Sequence, residues 1–201
     1  MSKTTRDKLL EQAHVLFARK GFYGTSINDV AAEVSVSKQG LLHHFPSKEK
    51  LYAEVLKGAA DQLMVMVEQA RQISDNPQLQ LQSIMQQMSR EEEESIRVIL
   101  LLCRELLDNR DRAETAQQWF LKPFLTELET MVINGQQQGL FDDGVHPLSY
   151  IYQLLGAIQY YLMSLPTLQQ LYTAKQHKEH QQQHIRLLEL TMQRVLVDPV
   201  S

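Results

Sequence analysis

Residues 34–48, VSVSKQGLLHHFPSK, concentrate polar side chains that are suited to binding a partner. They include the amines of Lys38 and Lys48, the amide of Gln39 and the adjacent imidazoles of His43 and His44. Lysine donates to phosphate or guanine, and glutamine can pair with adenine, so these residue types suit a nucleic acid. The imidazoles could instead bind a metal ion. However, neighbouring positions point about 100° apart on a helix, and the stretch contains no cysteine or carboxylate partner.

The elements that hold this stretch are predicted to be short helices. Apolar periodicity predicts a first helix over roughly 3–20 that ends before Gly21. Ser26 and Ser37 are N-cap candidates for two further helices, and Pro46 ends the second of these. Two short helices joined by a three-residue turn have the layout of a helix-turn-helix. A long helix should follow, from Ser47 to about residue 74.

The stretch from Leu16 to Tyr52, LFARKGFYGTSINDVAAEVSVSKQGLLHHFPSKEKLY, resembles the TetR family of bacterial transcriptional regulators. The resemblance implies that a set of side chains faces DNA: Ser26, Asn28, Lys38, Gln39, Gly40, Leu42, His43, His44 and Lys48. It also implies a core for this part of the chain: Phe17, Ile27, Val30, Ala31, Val36, Leu41 and Phe45. Many members have an aromatic residue where this chain has Leu42, so the neighbouring imidazoles are expected to provide the phosphate contact.

Composition predicts an all-α protein, and the resemblance implies a three-helix head, residues 1–47, with a larger helical body for effector binding and dimerisation, residues 48–201. Glycine and proline are scarce, with 8 and 6 residues among 201, which favours helix. The longest apolar run, Val98–Cys103, is too short to span a bilayer, and the charged start does not resemble a signal peptide. A single cysteine fits a reducing compartment, so we expect a cytoplasmic location.

Charge is distributed unevenly along the chain, although the net charge is −4. Residues 1–60 carry nine Lys or Arg against six Asp or Glu, whereas the remaining residues carry eleven against eighteen. This asymmetry is typical of a protein in which only one end meets an anionic partner. Double-stranded DNA is therefore the expected partner of the head.

The body is predicted to contain helices over roughly 78–89, 91–109, 112–137, 147–165 and 177–197, with a short piece near 167–174. Pro123 should kink or divide the third of these helices. Thioether and aromatic side chains from several helices suit an apolar effector pocket, in which Arg104 would orient a polar group. The candidates are Met64, Met66, Cys103, Arg104, Trp119, Phe120, Phe124 and Tyr150. Ordinary core packing is the alternative for the apolar candidates. For Arg104 and the neighbouring Glu105, a surface ion pair is the alternative.

The last two long helices carry more apolar surface than one core contact requires. On the final predicted helix, Ile185, Leu188, Met192 and Val195 form one apolar stripe, and Leu187, Leu190 and Val197 form a second. The resemblance implies that both helices pair with their twins in a two-fold four-helix bundle. The candidate interface is Ile151, Leu155, Ile158, Leu162, Ile185, Leu188, Met192 and Val195, although which stripe faces the partner stays open.

Three histidines, His177, His180 and His184, share one face of the final predicted helix. They could bind zinc or nickel, but a solvated polar face is commoner. No metal or cofactor is therefore expected, and no arrangement of an acid, a base and a nucleophile indicates an enzyme. The sequence predicts a repressor that a small apolar or amphipathic effector releases from its operator. A DNA-binding regulator without an effector is the alternative.

Overall fold

The computed structural model describes residues 3–108 and 119–195. The regular elements of these residues are nine α-helices, which confirms the predicted all-α class. In chain order they are α1 (Thr5–Lys20), α2 (Ile27–Glu33), α3 (Lys38–His44), α4 (Lys48–Ile73), α5 (Pro77–Met88), α6 (Glu93–Asp108), α7 (Lys122–Gln137), α8 (Pro147–Leu171) and α9 (Ala174–Gln193). None of the helices in the described ranges combines the length and hydropathy needed to cross a membrane.

Local capping fixes where the first three helices begin. Ser26 caps α2, as predicted, and forms a reciprocal capping box with Asp29. Ser37 accepts a hydrogen bond from the Gly40 backbone N–H at α3. The α1 helix ends at Gly21, whose φ of 73° lies in the left-handed region. Because a side chain is strained at this φ, glycine suits the end of α1.

Two compact units divide the chain, and the first contains the helix-turn-helix. Its described residues are 3–62, 96–108 and 119–120, so it comprises α1 to α3, the first part of α4 and most of α6. Its core includes Phe17, Val30, Ala31, Leu41 and Phe45, which are all buried. Ile27 and Val36, which were also predicted to lie in the core, are half-buried. The expected boundary after residue 47 falls where α4 begins, whereas the division between the two units falls within α4, after residue 62.

The second unit contains described residues 63–95 and 121–195. Helix α5 packs against α7, α8 and α9, and α8 also packs against α7 and α9. The apolar faces of these helices meet in a core that includes Leu81, Ile84, Leu128, Ile158 and Leu162. On the opposite faces of α8 and α9, side chains such as Tyr160 and Leu187 are exposed.

Pro123 and Pro166 occupy different positions in their helices. Pro123 lies in the first turn of α7, where its missing N–H costs no helical hydrogen bond, so the helix begins at Lys122. Residues 109–118, where the same helix was predicted to begin, lie outside the described residues. The α8 helix continues through Pro166 to Leu171, so the prediction that it ends at 165 was wrong. A new helix starts only after Thr173, whose side chain caps α9.

Candidate nucleic-acid interface

The α3 helix is anchored on one side by two buried side chains. Leu41 is completely buried and Phe45, at its C-cap, is 2% exposed. The turn before α3 includes Ser35, whose φ is 57°, and the Val36 backbone N–H donates to the Ala31 carbonyl at 3.0 Å. This turn fixes the direction in which α3 leaves α2. The position of the other α3 side chains therefore follows from the core of the first unit.

The opposite side of α3 presents polar groups. Lys38, Gln39, His43 and His44 are exposed, whereas Leu42 is half-buried. The rings of His43 and His44 lie 5.6 Å apart at 68°, so the two imidazoles point in different directions. Among the described residues, no three His, Cys, Asp or Glu side chains are grouped so as to hold a metal ion. The exposed row suits hydrogen bonding to base edges and phosphates.

Gly40 lies half-buried between these side chains on α3. A Cβ at this position would lie 3.4 Å from Ser37 Oγ and 3.8 Å from Val36 Cβ, which are ordinary contacts. The fold of the single chain therefore has room for alanine there. A requirement for glycine at this position would have to come from a bound partner.

The remaining predicted DNA-facing residues lie beside α3. Ser26 and Asn28 are exposed at the start of α2, and the Ser26 hydroxyl accepts a hydrogen bond from the Asp29 N–H. Lys48, in the first turn of α4, places its ammonium 4.2 Å from the centre of the Phe22 ring. Such a cation–π contact orients the amine. Sequence reasoning missed this role of Phe22, because the two residues are far apart in the chain.

Tyr23 is a second aromatic residue of the α1–α2 connection that the sequence did not single out. Its side chain is 67% exposed, and its ring lies edge-on to that of Phe22, with the centroids 5.4 Å apart. The next residue, Gly24, could not carry a side chain without a shift, because a Cβ there would overlap the Lys20 carbonyl oxygen. The connection that carries Tyr23 is therefore tightly folded.

The last turn of α6 holds the first unit together through three hydrogen bonds. The Phe22 backbone N–H donates to Asp108 Oδ2 at 2.9 Å, and the Tyr52 hydroxyl donates to Glu105 Oε2 at 2.6 Å. The Arg104 guanidinium donates to the Arg19 carbonyl at 3.2 Å. We call these three α6 residues the α6 clamp. Its contacts join α6 to the end of α1, the α1–α2 connection and α4.

The predicted contact of Arg104 with an effector stays a prediction, and its guanidinium takes part in the α6 clamp. The other seven effector candidates are divided between the two units. Cys103, Trp119 and Phe120 belong to the first unit, and Met64, Met66, Phe124 and Tyr150 to the second. Phe124 is 2% exposed and belongs to the core, and burial raises the pKa of the Cys103 thiol.

A small cavity in the second unit touches one of these candidates. Tyr150 lines it together with Leu81, Phe141, Glu189 and Met192, among others. Its volume of about 20 Å³ has room for roughly one water molecule. The Tyr150 hydroxyl donates to the Met192 carbonyl at 3.4 Å, and burial raises the pKa of Tyr150. The Tyr150 hydroxyl thus joins α8 to α9.

The predicted dimer residues are mostly buried within the single chain. Six of them are at most 7% exposed: Ile151, Leu155, Ile158, Leu162, Leu188 and Met192. The other two, Ile185 and Val195, are half-buried. These side chains pack largely within the single chain, and their place in a dimer interface stays a prediction. The exposed large apolar residues of the two helices are Tyr152, Tyr160, Met163, Leu171, Leu187 and Leu190.

Two family models match the chain and together cover both of its parts. "Bacterial regulatory proteins, tetR family" matches residues 9–55, and "Tetracyclin repressor-like, C-terminal domain" matches residues 77–192. The chain belongs to the TetR family. This membership confirms the resemblance of residues 16–52 to the family.

Individual curated relatives are similar over only part of the chain. IcaR of Staphylococcus aureus, a negative transcriptional regulator of the biofilm operon icaADBC, is 38% identical over 58 residues, which are 29% of this chain and 31% of IcaR. The repressor KstR2 of Mycobacterium tuberculosis is 34% identical over 79 residues, 39% of this chain and 40% of KstR2. The chain thus matches only about a third of the length of the first of these curated relatives.

Solved structures are similar over nearly the whole chain. The ketosteroid regulator KstR2 of M. tuberculosis has a TM-score of 0.71 and 19% identity, with 98% of both chains covered. A regulator from Rhodococcus sp. Rha1 also has a TM-score of 0.71, with 18% identity over 98% of this chain and all of the other. At these identities the likeness establishes the fold. It carries no information on the effector.

Proposed function

We propose that this TetR-family protein is a homodimeric repressor that binds an operator through α3 and that a small apolar or amphipathic effector releases it. The observation that carries the proposal is the exposed row of Lys38, Gln39, His43 and His44 on a helix anchored by Leu41 and Phe45. A helix enters a major groove about 12 Å wide, and side chains of these types then meet base edges and phosphates. Gln39 is expected to contribute base preference.

The positions around α3 support a division of roles. Lys48 sits beside α3 with its amine held over Phe22, which suits a phosphate contact that does not depend on base sequence. Ser26 and Asn28 are exposed on the neighbouring helix and are proposed to contact the DNA backbone. Half-buried Leu42 has no polar group, so His43 and His44 are expected to bind phosphate in its place.

A second copy of the chain is the proposed partner of the exposed faces of α8 and α9. Tyr152, Gly156, Tyr160 and Met163 follow one another at helical spacing on α8, and Tyr160 is 77% exposed. Gly156 has nothing within 4 Å of an added Cβ, so the single chain does not require glycine there. Glycine inside a helix costs about 1 kcal/mol relative to alanine, a cost that close approach of a partner helix would offset. Two copies would present two α3 helices to a palindromic site.

The α6 clamp offers a physical basis for release by an effector. Because Glu105 and Asp108 bind α4 and the α1–α2 connection directly, an effector that displaces α6 would act on the helix-turn-helix through hydrogen bonds. By linkage, such an effector must bind less tightly to the DNA-bound protein. Changing the binding-competent population from about 99% to about 1% requires about 5.5 kcal/mol of preference between the two states.

Selection of genomic fragments by the purified protein, followed by sequencing, tests the proposal. A shared palindrome with two half-sites supports it, whereas retention without a common sequence contradicts operator recognition. Apolar metabolites can then be screened for thermal stabilisation and for release of the selected fragment. If ligands neither stabilise the protein nor release the fragment, the alternative of a regulator without an effector is favoured.

A further inference from the structure

A group of five rings and one carboxylate joins α8, α9 and the segment before α6 in the second unit. We call it the Glu91 cluster: Glu91, Tyr161, Tyr172, His177, His180 and His184. The Tyr161 hydroxyl donates to Glu91 Oε1 at 2.6 Å, and His177 Nε2 lies 3.2 Å from Glu91 Oε2. A single carboxylate, two residues before α6, thus binds both α8 and α9.

The rings of the cluster are stacked between the two helices. The Tyr161 and His184 rings are 4.0 Å apart at 12°, and those of Tyr161 and His180 are 5.8 Å apart at 15°. Tyr172 lies 6.3 Å from His180 at 14°. Nearly parallel rings at the shorter separation are in van der Waals contact, so the position of His184 depends closely on that of α8.

His177 and His184 differ in the groups that face their ring nitrogens. A positive charge on His177 would face Glu91, at a side-chain exposure of 16%. His184 Nε2 is buried and has no hydrogen-bond partner among the described residues. A proton there would create a charge that the surrounding groups do not solvate.

The other titratable groups around His184 do not remove this asymmetry. Burial lowers the pKa of His184, the nearby His180 lowers it further, and Glu91 raises it. Burial also raises the pKa of Tyr161, as does its hydrogen bond to Glu91, so this phenol stays neutral. Elsewhere on α9, Glu179 lies 3.9 Å from Lys175, and Glu189 accepts a hydrogen bond from Gln86 of α5. The surroundings of His184 therefore favour its neutral imidazole.

We propose that His184 makes the packing of α9 on α8 sensitive to protons, so that mild acid loosens the two helices that carry the proposed dimer face. His184 has a lower pKa in the folded chain than in the unfolded chain, so the unfolded chain binds more protons between those two values. The stability that neutral His184 contributes is therefore fully present above the pKa of the unfolded chain, near 6.5. It is lost as the pH drops toward the lower pKa of the folded chain. The first part of the proposal, the loosening of α9 on α8, concerns the single chain. The second part, that this loosening weakens the dimer, rests on the proposed function.

Urea unfolding of the full chain at about pH 7.5 and about pH 5.5 tests the first step. The His184→Phe variant keeps an aromatic ring against Tyr161 but cannot take up a proton. Acid should raise the unfolding constant of the wild type more than that of His184→Phe, by up to about ten-fold per pH unit. His180→Phe is the matched control, because His180 is exposed, and it should retain most of the wild-type pH response.

Equal acid sensitivity of the wild type and His184→Phe would overturn the proposal. NMR titration of the wild-type imidazoles provides a measurement without any variant. The His184 signal is expected to titrate below the ordinary imidazole value near 6.5, and titration at or above that value would also overturn the proposal.

Sedimentation at the same two pH values tests the second step. The wild-type dimer should weaken in acid more than the His184→Phe dimer, and an equal change in both would remove that step. Fragment selection near neutral pH tests the proposed function separately, because His184 is neutral there. Failure of that selection would leave the unfolding result standing.

Discussion

The Phe22 backbone N–H donates to Asp108 Oδ2 at 2.9 Å, which joins the α1–α2 connection to the end of α6 across 86 residues of sequence. The same carboxylate oxygen lies 2.9 Å from the position that a Cβ of Gly21 would occupy. A side chain at Gly21 would therefore disturb the contact, in addition to being strained at positive φ. Gly21 thus serves both the end of α1 and the approach of α6.

Asp108→Ala should weaken operator binding without removing any group of the proposed DNA-facing surface. It deprives the Phe22 N–H of a charged acceptor, and such hydrogen bonds contribute about 1.5–3 kcal/mol. Because the contact is only partly buried, we expect a loss of affinity of up to about ten-fold, corresponding to about 1.4 kcal/mol. Fluorescence anisotropy with the selected operator measures it.

Asp61→Ala is the control for this change, since Asp61 is exposed on α4. If both variants bind the operator as tightly as the wild type, the α6 clamp does not position the helix-turn-helix. A loss with Asp108→Ala alone supports the clamp as the route by which α6 acts on the head.

Gln39→Ala and Lys48→Ala should affect binding in different ways. Gln39 is expected to read a base, so its loss should relax the preference at one base pair per half-site, which is worth about 1–3 kcal/mol. Lys48 is expected to neutralise a phosphate, so its loss should weaken binding to all sequences and reduce the salt slope by about one unit per subunit. Titrations with a panel of operator variants at several salt concentrations separate the two effects. A uniform loss with Gln39→Ala would contradict its assignment to the groove.

Gly156→Leu should produce monomers if the exposed face of α8 meets a second copy of the chain. A leucine fits the single chain, because nothing lies within 4 Å of an added Cβ, but it would obstruct close approach of a partner helix. Gly58→Leu is a matched control, since Gly58 is also exposed, helical and free of contacts at its Cβ position. Sedimentation equilibrium compares the two. An intact dimer in Gly156→Leu would exclude this face as the interface.

The sequence was sufficient to predict the helix-turn-helix, because its signals are local. Ser26 and Ser37 precede the helices that they cap, and Leu41 and Phe45 follow at the spacing of a buried face. Apolar periodicity in α8 and α9 was also clear, but it could not distinguish a stripe that packs within the chain from one that is open to a partner. That distinction depends on which side of α8 meets α5 and α7, a tertiary fact.

The α6 clamp and the Glu91 cluster escaped sequence reasoning for a related reason. Glu105 looked like half of a surface ion pair, yet it is 6% exposed and bound by Tyr52, 53 residues away. Similarly, the row of histidines on α9 resembled a solvated face, although His177 and His184 each bury a ring nitrogen. No local pattern marks contacts of this separation.

Tyr52→Phe should destabilise the first unit by about 1–3 kcal/mol, because it removes the hydroxyl that binds the buried Glu105 carboxylate at 2.6 Å. Urea unfolding measures the loss. Combining it with Glu105→Leu removes both polar partners, and such paired replacements can be nearly neutral. The double variant should therefore be more stable than the sum of the two single losses predicts, by about 0.5–3 kcal/mol. Additive losses would show that Tyr52 and Glu105 do not act as a pair, and they would remove one of the three contacts through which α6 is proposed to control the head.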